Sequence, residues 1–421
     1  MVAATAKGCW ITDMEGNRYL DAAGGALVNN IGHGDPGVVE AMSQQASSLD
    51  YVHASVFTSE ILEAYATALA PLVPVDEPRI FPTSGGSEAV ETALKLARAY
   101  HLTRGDTERD IVISREMSYH GNTVFALDVS GRKPLRRSYE SWLGRSVKVP
   151  AVTEYRCPAP SHPDGCADWH VDRLEETISE IGASRIAAFI GEPIGGATLG
   201  ATTPPDGYWP GIAEVCHRHG VLLIVDEVMT GFGRTGRWFG IDHYEIRPDI
   251  LVTAKGAASG YWPLGLTVAS GEIHDAVSGG FVHGFTFSHF PIGAAVALAV
   301  LNRILERRLV DAAASKGTTL LTNLRERLRE VPVVGDVRGI GLLIAVELVA
   351  DRGTRQPFPR SETMAERLTL EARNNGLLVY PSTGGADGTD GDLVLVGPPL
   401  IVSDDEMSLL VDRLAKSLEA L

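Results

Sequence analysis

Cysteine is scarce in this chain. Four in 421 residues are too few and too scattered to form a disulfide framework in a protein of this size, so Cys9, Cys157, Cys166 and Cys216 read as free thiols. Positive charge is in deficit, with 37 Lys and Arg against 53 Asp and Glu, a formal net charge of −16. That balance opposes sequence-independent attraction to nucleic acid or anionic lipid, and any anionic ligand must then be held by local dipoles. No apolar run approaches the roughly 20 residues of a membrane span, and the opening MVAATAKGCW lacks the charged start and long apolar centre of a signal peptide. The expected location is therefore cytoplasmic, with no membrane or nucleic-acid partner. Tight metal-ligand pairs are missing as well. Cys157, His162, Cys166 and His170 lie within fourteen residues, but with no Cys-x-x-Cys or His-x-x-x-His spacing. Pro158, Pro160 and Pro163 make that stretch read as an irregular surface excursion, and no metal is expected. Internal repeats and low-complexity tracts are absent.

What the chain does have is the stretch Val221 to Gly236, VLLIVDEVMTGFGRTG. Five apolar residues without alternation suit a parallel strand covered on both faces, and ligands in such sheets bind beyond the carboxyl ends of the strands. Asp226 sits at that end. Twenty-nine residues later a second apolar run, Asp249-Ile-Leu-Val-Thr-Ala, delivers Lys255 and then Gly256. A carboxylate and an amine shown from two strands of one sheet suit pyridoxal phosphate, whose aldehyde condenses with a lysine and whose ring nitrogen stays protonated beside a carboxylate. The segment TSGGSEAVETALKLARAYH adds a glycine-rich turn that opens a helix, with Val90, Ala93, Leu94 and Ala97 on one face. Unpaired N–H groups and the positive end of the dipole make that terminus a phosphate site without lysine or arginine, which assigns Gly85, Gly86 and Ser87 to the phosphate. Val228, two residues past Asp226, falls on the same side if the strand continues and forms an apolar floor.

DEVMTGFGRTG followed by PDILVTAKGAASGYWPLG resembles the signature of the class III, omega-type, aminotransferases of fold type I. Similar blocks run from GCWITDMEGNRYLDAAGG to GDLVLVGPPL, so the resemblance covers essentially the whole chain. It implies a pyridoxal-phosphate enzyme, usually a homodimer, with a tetramer as the alternative, and with active sites at the subunit interface. The implied fold is α/β, with a large domain at residues 46–290 holding a mostly parallel, seven-stranded-type sheet between helices. A smaller α+β domain comes from both chain ends, 1–45 and 291–421. The resemblance places Tyr119 on the cofactor ring face with His120 beside it, Glu192 next to the cofactor, and Thr286 on the partner subunit's phosphate. It also brings Leu27 and Gly24-Gly25-Ala26 to the substrate pocket, and Tyr51 and Phe57 toward the partner's pocket. The family's Ser-Gly-Ser is here Gly85-Gly86-Ser87, and Gly85 removes a hydroxyl near the phosphate but keeps the amides.

The expected reaction is amino transfer from a primary amine or amino acid to a keto acid, through a ping-pong cycle in which Lys255 and Asp226 carry the chemistry. Two other readings use the same residues: an amino-acid epimerase, racemase or aminomutase, and a catalytically silent cofactor-binding regulator. GAASGYWPLG lacks the triple glycine common in the aminomutases, and no appended DNA-binding helix pair or basic face is present. Arginine is the usual partner of a substrate carboxylate. The loop YPSTGGADGTDGD, where omega-transaminases often place a movable arginine, has none, and Asn122 stands where arginine often follows the Tyr-His-Gly turn. Only Arg132 or Arg136, read with Arg137 as a solvated basic patch, could substitute. The expected donor therefore carries its reacting amine far from any carboxylate, or has no carboxylate, and the expected acceptor is pyruvate-like.

Overall fold

The strand Leu222–Asp226 is buried at every residue. Its odd and even side chains enter different cores: Leu222 and Ile224 pack with Ala89, Ala93 and Ala97 of the helix Gly86–Thr103, while Leu223 and Val225 face Trp209, Ile212 and Leu174 from the opposite layer. A strand with both faces covered needs no polar alternation, which explains the unbroken apolar run. The computed structural model describes residues 1–159, 161–162 and 165–421. Within them this strand lies in the middle of a seven-stranded sheet ordered Arg79–Thr83, Gly265–Ala269, Ile250–Thr253, Leu222–Asp226, Ile186–Gly191, Ile111–Arg115 and Ser146–Val149. Gly265–Ala269 runs antiparallel to both neighbours, and the remaining pairs are parallel.

Two smaller sheets are built from the chain ends. Val334–Ile340, Leu343–Asp351, Asp392–Val396 and Tyr380–Thr383 pair antiparallel in that order. The N-terminal strands Ala3–Lys7, Trp10–Asp13 and Arg18–Asp21 form a meander, and its last strand pairs in parallel with Leu377–Leu378. The two ends are also joined through the last helix, Asp404–Glu419, whose start is closed by a capping box: Glu406 N donates to Ser403 Oγ and Ser403 N to Glu406 Oε2. The other carboxylate oxygen of Glu406 accepts Trp10 Nε1 at 2.7 Å. No helix among the described residues is long and apolar enough to cross a membrane.

The structure departs from several local expectations. The loop after Thr383 is closed on itself: Gly385 N donates to Gly391 O, and Asp387 Oδ1 collects the N–H groups of Thr389 and Asp390. Of the arginines read as a solvated patch, only Arg137 is exposed. Arg136 Nη1 donates to the carbonyls of Leu127, Asp128 and Ser130, and Arg132 turns toward Ser382. The cysteine–histidine cluster disperses. Cys157 and Cys166 lie with sulfurs 2.6 Å apart, while His162 faces Asp172 at 3.8 Å and His170 packs edge-on against Trp169 and Tyr208. Among the described residues no group of three or more His, Cys, Asp or Glu side chains is placed to hold a metal. Pro160 and Pro163 of this stretch lie outside the described residues.

Candidate active site

Four adjacent parallel strands deliver side chains to one edge of the large sheet. Lys255 follows Ile250–Thr253, Asp226 ends Leu222–Asp226, Glu192 follows Ile186–Gly191, and Tyr119 and His120 come after Ile111–Arg115. Asp226 pairs in register with Val252, so the carboxylate and the lysine emerge from neighbouring strands. The two acids of the central stretch point apart. Asp226 faces the cavity, whereas Glu227 is fully buried, bonded to Thr230 and accepting the N–H groups of Gly240 and Ile241 at 2.8 and 2.7 Å. Burial pushes the Glu227 carboxyl up to about 7, and its role is to hold the following loop.

These residues line one cavity of about 540 Å³, together with Gly85, Gly86 and Ser87 at the start of the helix Gly86–Thr103. Among the described residues the backbone N–H groups of Gly85, Gly86 and Ser87 find no acceptor. The helix start is held close to the sheet, because a Cβ on Gly265 would lie 2.3 Å from Gly85 O. The Tyr119-His120 turn is pinned to the same place, since Asn122 N donates to Ser87 Oγ at 3.1 Å and Gly121 adopts φ +135°. Val228 reaches the cavity by a different route from the one expected. The strand stops at Asp226, and the chain turns with Val228 N donating to Asp226 Oδ1 at 2.9 Å.

Asp226 Oδ2 accepts His120 Nδ1–H at 2.7 Å, and His120 N donates to Ser130 Oγ. Each oxygen of Asp226 is thus oriented by one neighbour and retains a lone pair for a further donor. Glu192 is equally fixed, with Oε2 accepting Arg115 Nη2 at 2.8 Å and Oε1 accepting Tyr119 N at 3.0 Å. Burial would raise this carboxyl, but the His120 and Arg115 charges and these hydrogen bonds outweigh it and hold it below its usual range. Lys255 lies in the left-handed region at φ +38°, a conformation that costs a non-glycine residue about 1–3 kcal/mol and is concentrated at functional sites. Desolvation lowers its ammonium to about 8, with Asp226 pulling it up and Arg234 pushing it further down. Burial and the neighbouring Tyr380 raise the Tyr119 phenol, while Arg132 draws it down.

The donor set fits pyridoxal phosphate. It offers an amine of lowered pKa, a carboxylate with free lone pairs for a ring N–H, a phenol and a branched aliphatic side chain on a flat site, and unpaired amides at a helix start for a phosphate.

Three residues predicted for the site lie elsewhere in the single chain. Leu27, at φ +58°, packs into a core with Ile194, Leu343 and Leu393, and Val28 is the residue on the cavity wall. The resemblance named Leu27, but within the short kinked segment Gly24–Leu27 the angles of Gly25 and Ala26 are non-helical, and the residue that reaches the cavity is one position further on. Phe57 is 62% exposed and Thr286 is also exposed. Thr286 O accepts the Tyr51 hydroxyl, and the Tyr51 ring lies near Phe290, which in turn meets Trp262 on the cavity wall. Sequence reasoning missed Trp262, Met229 and Arg115. The last had a legible signal, an arginine ending an apolar buried strand as Asp226 does.

A family model described as aminotransferase class III matches residues 1–418. The putrescine–pyruvate aminotransferase of Pseudomonas aeruginosa is 34% identical over 422 residues, covering 99% of this chain and 90% of that protein. Among solved structures, a thermostable (S)-enantioselective omega-transaminase from Thermomicrobium roseum superposes with a TM-score of 0.94 at 38% identity, covering 100% of this chain and 92% of that one. An amine transaminase from an uncultivated Pseudomonas species, solved with pyridoxal phosphate bound, gives 0.94 at 37% identity, with 100% and 95% covered.

Proposed function

The chain belongs to the class III aminotransferases, pyridoxal-phosphate-dependent enzymes that transfer amino groups, and from that premise we propose the particular reaction. The donor is a primary amine, or an amino acid whose reacting amine lies far from its carboxylate, and the acceptor is a small keto acid such as pyruvate. The two half-reactions run in alternation. The observation that carries this reading is the cavity wall: its only lysine or arginine among the described residues is Lys255, and beside it stand Val28, Ile194, Met229 and Trp262. An apolar wall accepts a hydrocarbon substituent and offers a long donor carboxylate nothing to pair with. The putrescine–pyruvate relative, by its name, uses a donor without a carboxylate and the same kind of acceptor.

When bound, pyridoxal phosphate supplies an aldehyde for the incoming amine and a protonated ring that accepts electron density from the reacting carbon. Lys255 would hold the aldehyde, and its amine, when free, would move a proton away from the amine-bearing carbon. Asp226, fixed by His120 and Val228 N, keeps the ring nitrogen charged. Tyr119 and Val228, both on the cavity wall, would flank its ring, and the amides of Gly85, Gly86 and Ser87 would hold its phosphate. Glu192, clamped by Arg115, borders the substrate side. The same reading divides the chain into a large domain at 46–290 and a small one from both ends, and pairs two copies through the Tyr51, Phe57 and Thr286 surface so that Thr286 serves the partner's phosphate.

The test is a panel of donors read by single-turnover conversion of the bound cofactor to its amino form. Carboxylate-free amines should convert fast, Lys255→Ala should convert none, and common α-amino acids other than alanine, the product of pyruvate amination, should be slow. The reverse order of donors overturns the substrate assignment. Racemised donor without keto product would move the protein to the isomerases.

A further inference from the structure

A keto-acid acceptor brings a carboxylate into a cavity whose wall has no arginine, and a carboxylate leaving water needs a cation with hydrogen-bond donors. The neighbouring arginines are nearly all committed. Arg115 is bonded to Glu192, Arg136 to three carbonyls, Arg234 to the Leu342, Pro398 and Asn29 carbonyls and Asn30 Oδ1, and Arg338 to Asp336 and Glu347.

Arg132 differs. Among the described residues its single hydrogen-bond contact is Nη2 to Ser382 Oγ at 3.5 Å, the outer limit of such a bond. Its Nε is shut off from water and has no acceptor, a state that is costly unless a ligand completes it. Its backbone is fixed beside the site. Gly131 N donates to Ser118 O at 2.9 Å, and a Cβ there would meet Arg115 O at 2.3 Å, so Arg132 follows a segment pressed against the turn that presents Tyr119. Its charge is near enough to draw down the Tyr119 phenol. On the other side, Ser382 lies two residues from Tyr380 on one strand and so on the same face. Tyr380 packs on the cluster of Ile194, with Met229 and Ala197, three residues that line the cavity. The guanidinium is thus within charge range of Tyr119 on the cavity wall and reaches the strand that carries Tyr380. The loop after Ser382 is fixed to the same segment by Lys133 Nζ donating to Asp387 O at 3.2 Å.

We propose that Arg132 binds the carboxylate of the acceptor keto acid, reaching it from behind the lining on the side that presents Tyr119. The assignment rests on the transaminase reading above. It supplies a cation from a short, tethered segment, so it suits a small 2-oxo acid, whose carboxylate lies at a fixed short distance from the reacting carbonyl.

The experiment uses holoenzyme first converted to the amino form by a carboxylate-free amine, then offered either pyruvate or propanal. Propanal keeps the carbonyl and lacks the carboxylate. Arg132→Leu should raise KM for pyruvate roughly ten- to a hundredfold with a small change in kcat, and leave propanal turnover and the amine half-reaction as in the wild type. Arg132→Lys should restore part of the loss. Inhibition of the propanal reaction by propionate, a carboxylate that cannot react, should weaken by a similar factor in Arg132→Leu. An unchanged pyruvate KM, or equal losses with pyruvate and propanal, overturns the assignment. Failure of the wild-type protein to convert either acceptor is a separate result: it overturns the proposed acceptor, and the role of Arg132 with it.

Discussion

A lysine ammonium lowered to about 8 changes what this residue can do near neutrality. At pH 7 roughly one tenth of it is free amine, against roughly one part in three thousand at the ordinary value. Only the free amine attacks an aldehyde, so the rate at which cofactor-free protein takes up pyridoxal phosphate should rise with pH and level off above about 8. The sign of the Asp226 contribution makes a sharper test. Its negative charge favours the ammonium, so Asp226→Asn should move the midpoint to lower pH. Stopped-flow measurement of the visible absorbance across pH 6–10 for both proteins checks this, and a midpoint that moves upward or stays fixed in the variant refutes it. At this scale Asp226 and Lys255 were legible because charged residues ending apolar runs violate the pattern around them. Leu27 was misplaced by one position in favour of Val28, since a side chain's direction in a kinked segment depends on φ angles that no periodicity encodes. Arg132 and Arg136 looked alike in RKPLRR. They differ only through the carbonyls that the fold brings to one and not the other.

At the scale of elements, the cavity depends on how closely the helix Gly86–Thr103 begins against the sheet. Gly265 has no room for a methyl group: Gly85 O, Gly85 C and Thr83 Oγ1 all lie within 2.7 Å of the Cβ position. Gly265→Ala should push the first turn outward, costing about 1–3 kcal/mol of stability and weakening cofactor retention through the displaced amides. Gly279→Ala, with nothing within 4 Å, is the control and should change neither. Thermal melts with and without cofactor, and equilibrium dialysis, read both effects. Equal behaviour of the two variants would show that the contact is slack. The strands and this helix could be read from apolar runs and a 3.6-residue spacing, and so could the fact that ligands gather beyond strand ends. Strand order could not. That Ile250–Thr253 lies beside Leu222–Asp226 is set by pairing between segments far apart in sequence, which local pattern does not carry. Val228 reached the cavity although its strand had ended, through a turn closed by the Asp226 side chain.

On the whole molecule, the surface around Tyr51 carries Val56, Phe57 and Phe287, exposed by 69%, 62% and 62%. Apolar groups concentrated beside a cavity mouth mark an interaction face, and the proposed pairing of two copies would cover it. Sedimentation should therefore show at least a dimer at micromolar concentration. Phe57→Glu together with Phe287→Glu should shift it toward monomer with a parallel loss of turnover. A fully active monomer would refute the arrangement. The interlocked chain ends have a consequence for how the protein is made. Trp10 and its partner Glu406 are 396 residues apart, and at about 5–20 residues per second of synthesis the first waits roughly 20–80 seconds for the second. The strand Arg18–Asp21 waits nearly as long for Leu377–Leu378 to cover its edge. Through that interval the newborn chain offers an open strand edge to its neighbours on the same messenger, and such edges are where chains join wrongly.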